Sequence, residues 1–171
     1  MNWKLWALEI LLGLIPPCLV RRLLPYDHAR IRDSFNQYVR PRIQDYSPVF
    51  YEIFFRDYPE VVPLFGKNMS RGELDTRINH FMLFIVDYAD RPRKFVRFLR
   101  ELARRHRGYG IRVHQFEYVD ETNLKTLQVF MGAAWTPELA AEWRRGFSFV
   151  SRLMKWFESF PEAINTSKNR K

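Results

Sequence analysis

Apolar residues recur every three or four positions along almost the whole chain, with little two-residue alternation, so the pattern predicts helices and few strands. Asp27, a good N-cap type, opens a helix over residues 27 to 46 in which Ile31, Phe35 and Val39 repeat at four-residue intervals. A second helix follows, with Pro48 near its start and Val49, Ile53 and Phe54 on its apolar side. Pro59 and Pro63 punctuate a short helical turn ending at Phe65, and Gly66, Lys67, Asn68 and Ser70 form a loop. The next apolar stripe is Leu74, Ile78, Phe81, Met82, Ile85 and Ala89; Arg91-Pro92 interrupts it, because a residue before proline is biased away from helical backbone.

The stretch from Arg93 to His106 divides its faces most cleanly. Phe95, Phe98, Leu99, Leu102 and His106 share one side, Arg97, Arg100, Arg104 and Arg107 the other, and Gly108 and Gly110 stop the helix. Residues 115 to 131 form another helix through Phe116, Val119, Leu127 and Phe130. Thr136-Pro137-Glu138 supplies a capping hydroxyl, a proline at the first helical position and an acid in the first turn. The last helix then carries Ala140, Trp143, Phe147, Val150, Met154 and Phe157, with Pro161 as its stop and a basic polar tail after it. The chain holds no internal repeat, Gly-rich phosphate loop, metal-binding cysteine pair or nucleophile motif.

Composition narrows this picture only modestly. At 171 residues, 47% hydrophobic and 27% charged, the chain suits one globular domain with a real core. Aromatics reach 16%, which suits a core closed around something large and flat, and equally any tightly packed helical domain. One cysteine, Cys18, excludes an internal disulfide and points to a reducing, cytoplasmic setting. The net charge of +9 comes without a groove-reading motif, and its arginines lie opposite apolar faces. A solvated basic surface is therefore expected rather than a nucleic-acid reader, although the same charge would favour an anionic membrane.

Residues 1–25 stand apart as an apolar extension. Leu5 to Ile15 is apolar except for Glu9 and is followed by Pro16-Pro17 and Arg21-Arg22. As a helix that stretch reaches roughly 16 Å, short of the ~30 Å hydrocarbon core, so a spanning helix is not expected. Trp3, Trp6 and the basic pair suit a helix lying in a membrane interface. Packing on the domain or on a second copy in a homodimer is the plainer alternative, and a secretion signal without a clear cleavage site is a third.

Two sequence blocks turn this all-α reading towards a particular chemistry. Phe50-Tyr51, Phe54-Phe55, Pro59, Pro63 and Leu64-Phe65 come first; Leu102-Ala103-Arg104-Arg105-His106 follows, running on to Gly110-Ile111. With Trp135-Thr136-Pro137-Glu138 and Trp143 in the same order, they resemble the globin family. The likeness is to bacterial single-domain haemoglobins, the globin domain of flavohaemoglobins and neuroglobin-like proteins. It implies a globin fold of six to eight helices over residues 26–160, with the extra N-terminal segment 1–25 and the tail 161–171 outside it.

The resemblance assigns roles. His106 becomes the proximal ligand of the iron in haem b, a role for which neutral imidazole is the usual donor; the plain alternative is a structural histidine ending an apolar stripe. Leu102 packs beneath the ring, Ile111 follows in the next corner, and Phe65 stacks on the haem edge. Tyr51 lies over the iron and could donate its hydroxyl to bound dioxygen; otherwise it is a core tyrosine bonded to a helix carbonyl. Matching Met82-Leu83-Phe84-Ile85 to the family's apolar run puts Arg77 at the usual distal histidine or glutamine position. Phe81 then sits above the ring and His80 on the propionate side, where Arg77 could also reach. A shift of three residues would make His80 the distal group instead, but the Arg77 register gathers Leu74, Ile78, Phe81 and Ile85 inward. Flavohaemoglobins pair the proximal histidine with a tyrosine and a glutamate. Phe116 and Glu158 stand there, so Glu158 could accept the second N–H of His106, or be solvated, while Phe116 brings no hydroxyl.

The implied work is reversible binding of dioxygen or another small gas, with nitric oxide or redox chemistry open. The expectation is that this chain has no room for a flavin reductase, so catalytic turnover would draw on an external reductase. Two other readings stay open: a haem-free globin-like module docking an acidic partner, and a membrane-associated haem-based gas or redox sensor.

Overall fold

The computed structural model describes residues 16–65 and 71–158. The apolar run from Leu5 to Ile15, the loop at 66–70 and the stop at Pro161 lie outside the described residues. Seven α-helices make up the described part: α1 (Pro17–Leu23), α2 (His28–Tyr38), α3 (Ile43–Asp57), α4 (Arg71–Tyr88), α5 (Pro92–Gly108), α6 (Gln115–Met131) and α7 (Pro137–Glu158). Short 3-10 turns at Arg40–Arg42, Pro59–Phe65 and Gly132–Ala134 join them, and no strand occurs among the described residues.

Local chemistry sets most of the boundaries. The Asp27 carboxylate accepts the Arg30 amide at 3.0 Å and so starts α2. Proline occupies the first turn of α1 and α5, where its missing N–H costs no helical bond. Thr136 accepts the Leu139 amide at 3.3 Å to open α7. Gly132, at φ +51°, turns the chain between α6 and α7, a backbone angle that side-chain-bearing residues rarely adopt. The helix expected over 27–46 instead breaks after Tyr38. Pro41 enters a 3-10 turn, the Arg42 amide bonds the Val39 carbonyl, and α3 restarts at Ile43 with Pro48 inside it.

The core lies where α5 packs along α7 and α3 crosses α6 and α4. Phe35, Val39, Tyr46, Met82, Leu99, Leu127, Trp143 and Phe147 are sealed from solvent. Two buried polar groups are paired between helices: the Trp143 indole N–H donates to Ser34 at 3.2 Å, and Tyr46 donates to Asn123 at 2.9 Å. At Gly146 a Cβ would sit 3.1 Å from Ile31 Cδ1, so its hydrogen lets α2 press against α7. No helix among the described residues is long and apolar enough to cross a membrane.

Candidate functional site

The site begins at the C-terminal end of α5, a helix whose Phe95, Val96, Leu99 and Ala103 are buried and whose Arg93, Arg97 and Arg104 face solvent. His106 occupies its last turn, half-buried. Its Nδ1 lies 2.8 Å from the Leu102 carbonyl oxygen. A carbonyl only accepts, so Nδ1 carries the proton and Nε2 keeps its lone pair. Burial holds the imidazole below its ordinary pKa of 6.5, the cations of Arg105 and Arg77 push the same way, and the bond to Leu102 opposes them. The ring is thus a neutral donor with one nitrogen to offer. Phe116, buried on α6, packs with its ring centre 5.8 Å from that of His106. Ile111 is half-buried in the following corner, where its amide bonds the His106 carbonyl at 3.4 Å.

An aromatic wall stands on α3 and the turn after it. Tyr51 stacks on Phe55 at 5.4 Å and meets Phe65 edge-on at 5.9 Å; Phe65 also meets Phe55 edge-on at 5.2 Å. The α-helical spacing of Tyr51 and Phe55 explains the first contact, and the 3-10 turn brings Phe65 back over both. The Tyr51 hydroxyl donates to the Leu74 carbonyl of α4 at 3.3 Å, a long bond for a hydroxyl. Burial raises its pKa above the ordinary 10, against the nearby Arg77 cation.

Arg77 relates the two sides. Its guanidinium lies 5.9 Å over the Tyr109 ring, and its charge bears on both Tyr51 and His106. His80 stands elsewhere, exposed, with its ring edge towards Phe98 at 5.8 Å and Phe84 at 6.3 Å. Phe81 and Leu74 are half-buried on α4, beside the buried Ile78, Met82 and Ile85. The structure therefore gathers Leu102, His106, Ile111 and Phe116 with Arg77 and Tyr109, and sets Tyr51 against α4 with Phe65 behind it; His80 joins neither group.

Glu158 differs from the sequence expectation in one respect. The second N–H of His106 goes to the Leu102 carbonyl and not to this carboxylate. Glu158 Oε1 is buried without a hydrogen-bond partner, and burial raises its pKa while Arg107 opposes the rise. Sequence reasoning also missed Tyr109 and the Leu102 acceptor; for Tyr51 it held a bond to a helix carbonyl open, and that carbonyl is Leu74's. Leu102 was legible as one turn before His106, and that four-residue spacing was the available signal for the backbone bond. The Leu74 carbonyl had none, because it depends on how closely α3 approaches α4.

The donor set fits haem. One neutral, desolvated imidazole nitrogen, flat aromatic neighbours and a cation suited to a propionate are what a haem pocket offers. The fold and these residues define an all-helical cofactor-binding domain. A profile described as Globin matches residues 49–154, more than half of the chain, and the chain belongs to the globin family. Neuroglobin of Danio rerio is 26% identical over 147 residues, covering 79% of this chain and 92% of the relative. A flavohemoprotein of Rhizobium meliloti is 23% identical over 111 residues, covering 64% of this chain; the chain spans 28% of that longer protein. Among solved structures, a bacterial globin from Campylobacter jejuni has a TM-score of 0.67 at 20% identity, covering 77% of this chain and 94% of that one. Haem-based binding of small gases is the family's general work.

Proposed function

We propose that this chain binds haem b through His106 Nε2 and reversibly takes up dioxygen or another diatomic gas. The observation that carries the reading is the tautomer: the Leu102 carbonyl holds the proton on Nδ1, so the buried ring presents its lone pair at Nε2. Leu102 and Phe116 fix the plane of that imidazole, and Ile111 closes the corner behind it. Haem, when bound, supplies an iron with one position open to a gas.

On the opposite side Tyr51 is the group able to donate. Its hydroxyl rests on the Leu74 carbonyl and can turn towards a ligand that acquires negative charge. Phe65 and Phe81 exclude water from the ring faces and edge. Arg77 pairs with a propionate, where a guanidinium keeps part of its hydration; its charge reaches both Tyr51 and His106, which supports this register over one led by His80. His80, exposed against Phe84 and Phe98, takes no part in this arrangement. Glu158 meets the proximal end of α5 through its backbone carbonyl, which accepts from Arg107 at 3.2 Å, without contact to the ring nitrogen. Redox turnover with nitric oxide is a further activity to test with an external reductase.

Titrating the protein with haemin tests the proposal. The wild type should take up one equivalent and, once reduced, bind carbon monoxide with a shifted Soret band. His106→Ala should bind haem weakly. Equal uptake and an unaltered spectrum in the variant would overturn the assignment.

A further inference from the structure

The helix that bears His106 begins with an arrangement folding alone does not favour. Arg91, Arg93 and Lys94 crowd the start of α5, and no acid occupies its first turn. A helix N-terminus is the positive end of its dipole, so cations there are destabilising. Arg97 and Arg100 extend the run, and residues 91–100 contain no Asp or Glu. Arg91, Arg93, Lys94 and Arg97 are all exposed, with Arg91 and Lys94 grouped over the Tyr88 ring at 5.3 and 5.1 Å. The acids that flank the run are already engaged: Asp87 with Arg40, Asp90 with Arg21, and Glu101 with Arg104.

The Arg21–Asp90 pair, at 2.5 Å, pins α1 to the corner from which α5 starts. Phe149 adds a second tie, with its ring 6.1 Å from Tyr26 after α1 and 6.4 Å from Phe95 in α5. On α1, Leu19 and Leu23 are 46% and 68% exposed, one turn apart, with Arg22 exposed between them. Exposed leucines beside a dense cationic patch match a bilayer interface, in which apolar side chains enter the acyl boundary and cations meet lipid phosphates. An acidic protein would satisfy the charges but not the leucines. In the sequence, α1 is also preceded by Trp3, Trp6 and the apolar run from Leu5 to Ile15.

We propose that α1 and the first turns of α5 form one docking surface for an anionic lipid bilayer, with Leu19 and Leu23 inserting while Arg91, Arg93, Lys94 and Arg97 bind headgroups. The docked chain has the helix of His106 held at the membrane.

Co-sedimentation of the full-length, haem-loaded protein with vesicles tests this. Phosphatidylcholine vesicles are compared with vesicles that also contain phosphatidylserine. Binding should require phosphatidylserine and weaken with added salt. Each cation near such a surface contributes about fivefold, so the combined Arg91→Gln, Arg93→Gln, Lys94→Gln and Arg97→Gln variant should bind at least tenfold more weakly. The exposed pair Arg93→Gln and Arg97→Gln is a second variant should the first fail to fold, and it should lose part of the same affinity. Leu19→Ser with Leu23→Ser should weaken binding separately. Equal binding to both vesicle types, or undiminished binding by the folded charge variants, would overturn the proposal. So would failure of the wild type to bind phosphatidylserine vesicles, including the case in which it instead binds an acidic protein.

Discussion

Removing the Tyr51 hydroxyl separates its two roles, because Tyr51→Phe keeps the ring and deletes one donor. The aromatic contacts at 5.4 Å to Phe55 and 5.9 Å to Phe65 remain available to phenylalanine. What the resting protein loses is a bond to the Leu74 carbonyl at 3.3 Å, long for a hydroxyl donor. That carbonyl lies inside α4, where the helix provides an amide partner, so no acceptor is stranded. The stability cost is therefore at the low end for a hydrogen bond, about 0.5 kcal/mol. In a chain of this size that lowers the melting temperature by about 1–2 °C. With a gas bound, the missing bond would have gone to a partly charged acceptor, worth about 1.5–3 kcal/mol. Dioxygen should then leave about ten to a hundred times faster. Carbon monoxide, which gathers little charge, should leave at a nearly unchanged rate. Stopped-flow displacement of dioxygen by carbon monoxide measures the first rate, and displacement of carbon monoxide by nitric oxide the second. Unchanged dioxygen release would refute the ligand-side role of Tyr51, as would equal acceleration for both gases.

Three further outcomes follow from the structure. Burial holds the Asp120 carboxyl up to about 6, against an ordinary 3.8, although Ser151 donates to it at 2.7 Å. The folded chain then binds a proton that the unfolded chain lacks between those values, so stability falls as pH rises through the window. At about 1.4 kcal/mol per pH decade, Asp120→Asn should recover roughly 3 kcal/mol at neutral pH and little near pH 4, as urea melts at both pH values would check. His106 has the opposite sign: its depressed pKa makes the stability from its neutral form complete above 6.5 and lost as pH falls through the folded value. Acid should also accelerate haem transfer to an acceptor apoprotein, below that range, because a proton must compete with the iron for the same Nε2 lone pair. Replacing His80 with Leu should leave a five-coordinate ferrous spectrum unchanged; a six-coordinate wild type that loses this state in the variant would show that His80, not Arg77, leads the distal side.

Helix types were legible because apolar spacing and caps agreed. The strongest cases are Gln115–Met131, on apolar spacing alone, and the Thr136-Pro137 start of α7, where a cap adds to it. The break between α2 and α3 escaped because Tyr38, Val39 and Tyr46 continue an apolar pattern across it, and side-chain period does not register a switch to 3-10 bonding at Pro41. The candidate site was legible where a side chain carries the chemistry, as at His106, Tyr51 and Phe65. It was illegible where the backbone does. The Leu74 carbonyl has no residue signature, the Leu102 carbonyl has only its four-residue spacing from His106, and the placement of Glu158 beside α5 did not reveal that its carboxyl oxygen goes unpaired. Arg77 and His80 lie three residues apart on one helix, so only tertiary packing decides which of them approaches Tyr51 and His106.

The most direct measurement is the absorption spectrum of haem-loaded His106→Gly before and after adding free imidazole. The account predicts a weak or displaced Soret band that imidazole restores to the wild-type form, because the small molecule refills the vacated donor position. A wild-type spectrum without imidazole, or one indifferent to it, would mean that another side chain holds the iron.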